Sequence, residues 1–205
     1  MSSFINYTNN CIYEGDSDQK NHRHGKGKLK WPDGTYYVGD WVIDKANGNG
    51  SLYFIHGDLY SGNFKDNKFE GFGKYVNSKG VVYEGEWKEN LQNGNGVESF
   101  SDGTKFEGSY SNGKKNGLGK IKFSDGSIYE GNFVDNNIEG FGKLTWPPHE
   151  NKIYEGFWKN NIMEGKGKML WLENGKSYEG IYYLFLVKNT NNNFNSIIMV
   201  IINTE

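Results

Sequence analysis

The sequence predicts an all-β fold, an elongated single-layer antiparallel sheet built from consecutive β-hairpins of about 23 residues. Glycine accounts for 29 of 205 residues, which is roughly twice its usual share. A short motif recurs at steps of 23 to 25 residues along most of the chain. Within each repeat, aromatic and apolar residues alternate with polar ones at the period of a strand, not at the 3.6-residue period of a helix.

Composition excludes several classes of protein. The 23 Lys and Arg residues nearly balance the 25 Asp and Glu residues, whereas a nucleic-acid-binding domain normally carries a basic excess. The single cysteine, Cys11, rules out an internal disulfide framework and a Cys-x-x-Cys site. The start of the chain has no basic segment followed by an apolar one, and the longest apolar runs are far shorter than a membrane span of about 20 residues. We therefore expect a cytoplasmic protein.

The repeat is defined by an aromatic residue, here position 0, with a glycine two residues later. The starting residues are Tyr13, Tyr37, Tyr60, Tyr83, Phe106, Tyr129, Tyr154 and Tyr178. The predicted array covers residues 13–182, between a lead-in at 1–12 and a divergent apolar and Asn-rich tail at 183–205. Its predicted repeats are 13–36, 37–59, 60–82, 83–105, 106–128, 129–153, 154–177 and a partial one at 178–182.

Turn residues divide each repeat into two strands. Asn and Gly near positions +6 and +7 favour a two-residue hairpin turn, because both tolerate positive φ. This turn predicts that position 0 lies opposite +13 and that +2 lies opposite +11, so that rings at 0 and +4 lie over bare glycine backbone. A glycine near +20 predicts a three-residue second loop or a bulge, with that glycine in the left-handed region.

Polar residues occupy the opposite face. Position +1 is Glu in six repeats and position +14 is Lys in five. In the predicted register these two positions are diagonal neighbours across the strands. We interpret them as a solvated face of weak ion pairs, each contributing about 0.2–1 kcal/mol.

The combination of Tyr-x-Gly-x-Trp, Gly-x-Gly and Asp-Gly at this period resembles the MORN (membrane occupation and recognition nexus) repeat. Tyr154-Glu155-Gly156-Phe157-Trp158 through Gly167 carries the resemblance clearly. The resemblance implies a non-catalytic scaffold that binds proteins or phospholipids at a cytoskeletal, ciliary or peripheral membrane structure. It also leaves open a targeting module of an enzyme, of the lysine methyltransferase or phosphatidylinositol-phosphate kinase type, whose catalytic domain lies outside this sequence.

Two surfaces are candidates for binding. The first is a protein-binding aromatic face, whose floor is formed by the aromatic residues at position +4. These are Trp41, Phe64, Trp87, Tyr110, Phe133 and Trp158. The alternative is that these rings pack only against each other and against the apolar residues at +15 and +17. The second candidate is a basic cluster of Arg23, Lys26, Lys28 and Lys30, which could contact anionic phospholipid.

Signals for catalysis are weak. The four histidines, His22, His24, His56 and His149, are scattered among predicted turns, and no recognisable catalytic motif or metal-ligand spacing occurs. We expect no enzymatic activity, no metal and no cofactor. The expected partners are proteins, with anionic phospholipid and a second copy of the chain as further candidates and nucleic acid excluded. The apolar run 197–202 is expected to pair with the last strand of the array or to promote aggregation.

Overall fold

The computed structural model describes residues 3–6, 10–188 and 194–202, and these residues contain strands and turns but no helix. The strands are β1 (Ser3–Asn6), β2 (Ile12–Ser17), β3 (Arg23–Lys30), β4 (Tyr36–Val42), β5 (Lys45–Tyr53), β6 (Leu59–Lys65), β7 (Lys68–Val76), β8 (Val82–Lys88), β9 (Leu91–Ser99), β10 (Lys105–Ser111), β11 (Lys114–Lys122), β12 (Ile128–Val134), β13 (Asn137–Thr145), β14 (Lys152–Lys159), β15 (Ile162–Trp171), β16 (Ser177–Lys188) and β17 (Phe194–Ile202). The all-β prediction is confirmed.

The strands belong to two units. The first unit comprises residues 1–101 and 110–113, the second comprises residues 102–109 and 114–205, and the boundary falls within β10. In the first unit β1 to β9 pair antiparallel in chain order. In the second unit β11 to β17 do the same. The prediction of consecutive antiparallel hairpins is therefore confirmed.

In the second to seventh repeats the first turn is a two-residue turn with positive φ at both residues, as predicted, whereas a five-residue loop joins β2 to β3 in the first repeat. Asp135 has φ 48° and Asn136 has φ 73°, which is the type I′ geometry that matches the twist of paired strands. The second loop has three residues in most repeats, where it is closed by a hydrogen bond such as that from the Phe123 amide to the Ser127 carbonyl (2.9 Å), and it is longer after Trp146 and Trp171. Gly126 in that loop has φ 92°, so the predicted left-handed glycine is confirmed.

The predicted strand register was wrong by two residues. Tyr129, at position 0, lies opposite Leu144 at +15, and Gly131 lies opposite Gly142 at +13. The cause is a bulge between Gly131 and Phe133, where several residues of β13 face one residue of β12. An even shift keeps every side chain on its face, so the predicted division into two faces is unaffected. It does place Glu130 directly opposite Lys143, not diagonal to it.

Two kinds of glycine emerge from this register. Gly140, at +11, lies in the bulge with φ 78°, so the backbone conformation requires a glycine at this position. Gly142, at +13, is required by space, because a Cβ added there would overlap the Tyr129 ring. The predicted seating of rings over bare backbone therefore holds for +2 and +13 but not for +11.

In each unit the core lies on one side of the sheet, here called the aromatic face, which carries positions 0, +2, +4, +13 and +15. Seven of the eight residues at position 0 are at most 1% exposed, whereas Tyr178 is 48% exposed. Six of the seven buried rings are tyrosines whose hydroxyls donate to the carbonyl of residue +3, inside the bulge. The donors are Tyr13, Tyr37, Tyr60, Tyr83, Tyr129 and Tyr154.

The end of the chain continues the same pattern in its backbone. Strand β16 runs to Lys188 and pairs antiparallel with β17. Strand β17 includes the apolar run 197–202, so its expected pairing with the last strand of the array is confirmed for the backbone. Residues 189–193 of the Asn-rich segment lie outside the described residues.

Candidate binding surfaces

The six aromatic residues predicted as a binding floor are part of the core. Their exposed fractions range from 3% for Trp41 and Phe133 to 8% for Trp87. The Trp87 ring makes edge-to-face contacts with Tyr83 (5.1 Å between centroids) and with Tyr60 of the preceding repeat (5.3 Å). Its Nε1 donates to the Gly73 carbonyl (3.0 Å). The +4 rings are therefore buried against position 0 rings, which is the packing described above as the alternative to a binding floor.

A contact between repeats that sequence reasoning missed involves position +7. The Asn90 amide donates to the Phe69 carbonyl (3.0 Å), and the Phe69 amide donates to Asn90 Oδ1 (2.8 Å). Asn67, Asn136 and Asn161 make the same pair of bonds to the preceding repeat. We call this two-bond contact the Asn clip. The signal in the sequence is the recurrence of Asn at +7, which turn geometry alone does not require.

The predicted basic cluster does not form. Arg23 lies on the aromatic face, with its guanidinium 4.4 Å from the centre of the Trp41 ring and its Nε 3.0 Å from Asp44 Oδ1. Lys26, Lys28 and Lys30 alternate onto the opposite face, here called the charged face, which carries positions +1, +12 and +14. Lys26 Nζ lies 2.5 Å from Asp40 Oδ1, and this hydrogen bond lowers the pKa of the Asp40 carboxyl. The four cations therefore belong to two faces, and two of them are ion-paired.

A cavity of about 330 Å³ opens on the aromatic face of the first unit. Its apolar lining comprises Leu29, Trp31, Tyr37, Trp41, Ala46, Leu52 and Phe64, and its polar lining comprises Arg23, Asp44 and Asn67. Burial raises the pKa of the Asp44 carboxyl, but hydrogen bonds from the Arg23 backbone and guanidinium outweigh that effect, so the net pKa lies below its usual value. Asp44 is therefore an anion at neutral pH, held against a cation at the mouth of an apolar cavity.

A second cavity, of about 500 Å³, lies on the charged face of the second unit. Phe141, Phe157 and Ile181 line it together with charged residues of β14, β15 and β16. The two phenylalanine rings meet edge to face at 5.6 Å, and they are 48% and 47% exposed. The two rings form a small exposed apolar patch on an otherwise charged face.

Charged residues cross the second unit beside this patch. The antiparallel registers align Lys120, Glu130, Lys143, Glu155, Lys168 and Glu179 on six successive strands. We call this row the charge ladder. Lys120 Nζ lies 2.5 Å from Glu130 Oε1, and that hydrogen bond lowers the pKa of the Glu130 carboxyl. In the first unit the corresponding row is interrupted by Val38, Ser51 and Ser61.

Within the described ranges, no group of three or more His, Cys, Asp or Glu side chains is placed to hold a metal ion. The described part of the chain also lacks any helix long and apolar enough to cross a bilayer.

Comparison with protein families identifies the repeats. The MORN repeat family matches residues 13–36, 37–58, 60–82, 83–105, 106–128, 129–149 and 154–172. The chain belongs to the MORN repeat family. The sequence-based assignment of the repeat is therefore confirmed.

Comparison with solved structures gives distant similarities. The TCP domain of Drosophila melanogaster SAS-4 (dCPAP), in complex with a proline-rich motif of Ana2 (dSTIL), is 17% identical with a TM-score of 0.47, covering 80% of this chain and 93% of that one. A CPAP G-box domain is 9% identical with a TM-score of 0.45, covering 87% and 97%. The TCP10 domain of Danio rerio CPAP, in complex with a STIL peptide, is 10% identical with a TM-score of 0.33, covering 95% and 92%. No curated protein matches the chain significantly.

Proposed function

We propose that this protein is a non-catalytic scaffold that binds a partner protein through the aromatic-face cavity of its first unit. The observation that carries the proposal is the composition of that cavity, with seven apolar or aromatic side chains surrounding Arg23, Asp44 and Asn67. Concave sites of this kind, mostly apolar with a few oriented polar groups, are typical of ligand binding.

The cavity suits a short segment of a partner chain. Its apolar walls would receive an apolar side chain. Asp44 Oδ1 and Asn67 Oδ1 already accept from Arg23 and Ala46, so Asp44 Oδ2 and Asn67 Nδ2 would bond to the backbone that carries that side chain. Tyr37 and Trp41 are buried and fixed by ring contacts 5.1 Å apart. A preformed wall lowers the ordering cost of binding, which favours recognition without rearrangement of the repeat.

Trp31 provides the test, because it is a half-buried lining residue and is not one of the fully buried rings at positions 0 and +4. Full-length wild-type and Trp31→Ala chains would be expressed in the native cell, and proteins co-purified with each would be quantified. Loss of a tryptophan at the centre of an interface typically costs 2 kcal/mol or more, or about 30-fold in affinity. We therefore expect the amount of each specific partner that co-purifies with Trp31→Ala to fall strongly below the wild-type amount.

Trp171→Ala is the matched control. Trp171 is a half-buried tryptophan of the second unit at the corresponding end of its repeat, where it contacts Tyr178. We expect it to retain the partners that Trp31→Ala loses, with both variants folded by circular dichroism. Equal recovery of every protein by wild type and Trp31→Ala would remove the cavity from consideration.

We propose, from family membership, that the partner belongs to a cytoskeletal, ciliary or membrane-associated structure. Imaging of the tagged chain with Trp31 intact and substituted tests this, since a partner-dependent location should become diffuse in the variant. The lipid-binding alternative has less support, because its four basic residues lie on two faces and two of them are ion-paired.

A further inference from the structure

We propose that two copies of this chain pair face to face through the charged face of the second unit. The two-fold axis lies in the interface, parallel to the strands, between β13 and β14. The charge ladder carries the inference. Lysine and glutamate alternate along it, so two residues at equal distances on either side of its centre always carry opposite charges. This proposal is independent of the proposed function, which uses the aromatic face of the first unit.

The ladder is self-complementary under this symmetry. A two-fold axis parallel to the strands reverses their order in the second copy and superimposes the row of one copy on the row of the other. Lys143 then meets Glu155 of the second copy, Glu130 meets Lys168 and Lys120 meets Glu179. Every meeting joins opposite charges, and all six side chains are exposed.

The neighbouring row on the charged face has the same property. It consists of the residues two positions from the ladder on each strand, which are paired by the registers as Leu118 with Asn132, Phe141 with Phe157 and Lys166 with Ile181. Bulges lie between these pairs. The same axis pairs Phe141 with Phe157 and Leu118 with Ile181, so that apolar residues meet apolar residues. Asn132 meets Lys166, which joins the two polar members of the row.

A third row, on the other side of the ladder, can be paired by the same axis. It consists of Lys122, Ile128, Thr145, Ile153, Leu170 and Ser177. The axis pairs Ile128 with Leu170 and Lys122 with Ser177. Thr145 meets Ile153 beside the axis, where only the threonine methyl group can contact the isoleucine, so the third row matches in two of its three pairs.

Other arrangements match less well. An axis across the strands, along the ladder, would place each lysine on the same lysine of the second copy. An axis between β12 and β13 would keep opposite charges together, but it would place Phe141 against Asn132. The ladder therefore selects the direction of the axis, and the apolar rows select its position.

The size of the patch sets the expected affinity. Six strands spaced about 4.8 Å apart and five residues along each strand cover roughly 500 Å² in each copy. The total of about 1,000 Å² is near the lower limit for a specific interface, so we expect a dissociation constant in the micromolar range. Since packed sheets cross at about 30°, the pairs beside the axis, Lys143 with Glu155 and Phe141 with Phe157, would be the closest.

The test is sedimentation of the full chain over a range of concentrations, with two charge-reversal variants. Lys143→Glu and Glu155→Lys each create two like-charge contacts beside the axis. We expect each variant alone to dimerise at least about tenfold more weakly than wild type. Mixing the two variants restores opposite charges at both central contacts, so we expect a one-to-one heterodimer of near wild-type affinity.

Controls keep folding and dimerisation apart. Lys74→Glu alters an exposed charge pair of the first unit and should leave the dissociation constant unchanged. Phe157→Asn replaces an exposed apolar residue and should weaken dimerisation without reversing a charge. Circular dichroism checks that every variant is folded, and raised salt should weaken the wild-type dimer.

Three outcomes would overturn the proposal. One is a wild-type chain that stays monomeric at several hundred micromolar, which would mean that the patch does not bind a second copy. Another is a dimer that both charge reversals and Phe157→Asn leave intact. The last is failure of the mixed variants to associate while each remains folded.

Discussion

Ile43 occupies the first position of a type I′ turn and is the one β-branched residue at positive φ in the described part of the chain. Its φ is 46°, and its side chain is 59% exposed. The left-handed region costs an L-residue roughly 1–2 kcal/mol, and Asn tolerates it better than a β-branched side chain. The equivalent position elsewhere holds Asp66, Glu89, Asn112, Asp135 or Asn160.

Ile43→Asn should therefore stabilise the protein by about 1 kcal/mol, because it relieves backbone strain and gives up little buried area. Urea unfolding followed by circular dichroism measures the change. Val42→Asn is the control, since Val42 is also an exposed apolar residue beside the turn but lies in the extended strand. A gain of the same size from both substitutions would point to exposed hydrophobicity, not to backbone strain.

Tyr60 illustrates what the hydroxyl adds to a ring already seated on glycine. Its ring is fully buried, and its hydroxyl donates to the Asn63 carbonyl (2.9 Å). Tyr60→Phe should lower the free energy of unfolding by about 1 kcal/mol, the usual net value of such a bond. Phe106, which occupies position 0 in its own repeat, indicates that the fold tolerates the change. An unchanged midpoint in urea would mean that water replaces the phenol at that carbonyl.

The six residues at position +4 mark the limit of sequence reasoning at this scale. Period-2 spacing correctly placed Trp41 and Trp87 on the same face as the tyrosines. It could not give their exposure, because that depends on the fit of each ring between rings of two repeats. It also could not give the Nε1 bond from Trp87 to Gly73, which forms only after the strands are in register.

At the scale of the element, the Asn clip ties four hairpin turns to the repeat before them. Asn136→Gly keeps a residue suited to φ 73° but removes the Oδ1 acceptor of the Lys115 amide (2.8 Å). We expect a loss of about 1 kcal/mol and faster hydrogen exchange at Lys115. Gly113 is the natural counterpart, as it retains the backbone bond to Gln92 (2.8 Å) without a side chain.

Gly113→Asn is the reciprocal experiment. It introduces the side chain at a turn position with φ 79°, where an added Cβ would lie 3.6 Å from Leu91, at ordinary contact distance. The clip should then form and slow exchange at Gln92. If Asn136→Gly accelerates exchange throughout its unit and not mainly at Lys115, the contact is part of the general packing and has no local role.

The strand register is the element-scale property that the sequence predicted least well. Turn residues located both turns of the hairpin, and the left-handed glycine was predicted from the odd period. The bulge at Gly140 was not visible, because a glycine needed for φ 78° and a glycine needed for a ring seat look alike in the sequence. From the sequence, both glycines of each Gly-x-Gly pair are expected to make room for rings, and no bulge is expected. The predicted strand pairing is therefore displaced by two residues from the observed one.

At the scale of the whole molecule, each unit is stabilised by contacts between successive repeats. In repeat arrays such nearest-neighbour terms replace a central core. Here they consist of ring contacts such as Tyr60 with Trp87 and clips such as Asn90 with Phe69. The sequence predicted this organisation from the period alone. It did not predict the symmetry of the charge ladder, which depends on the observed pairing of Glu130 with Lys143.

Dependence on buried tyrosine has a consequence for the whole molecule at alkaline pH. Burial raises the pKa of Tyr129 to about 12, against about 10 in an unfolded chain. Desolvation also raises the pKa values of six other buried tyrosines. They are Tyr37, Tyr60, Tyr83, Tyr110, Tyr154 and Tyr182.

Since the folded pKa values lie above the unfolded value, the stability they contribute is fully present below pH 10 and is lost as pH rises from there towards the folded values. Each such tyrosine removes about 1.4 kcal/mol per pH unit in that window. Seven together would remove roughly 10 kcal/mol per pH unit, comparable to the entire stability of a typical domain.

We therefore expect the sheet to unfold within about one pH unit above 10. Tyrosinate absorbance and the β-sheet circular dichroism signal should change together, and Tyr60→Phe should reduce the steepness by the share of one tyrosine, about 1.4 kcal/mol per pH unit. Gradual tyrosine ionisation with an intact sheet signal would mean that solvent reaches the hydroxyls without unfolding.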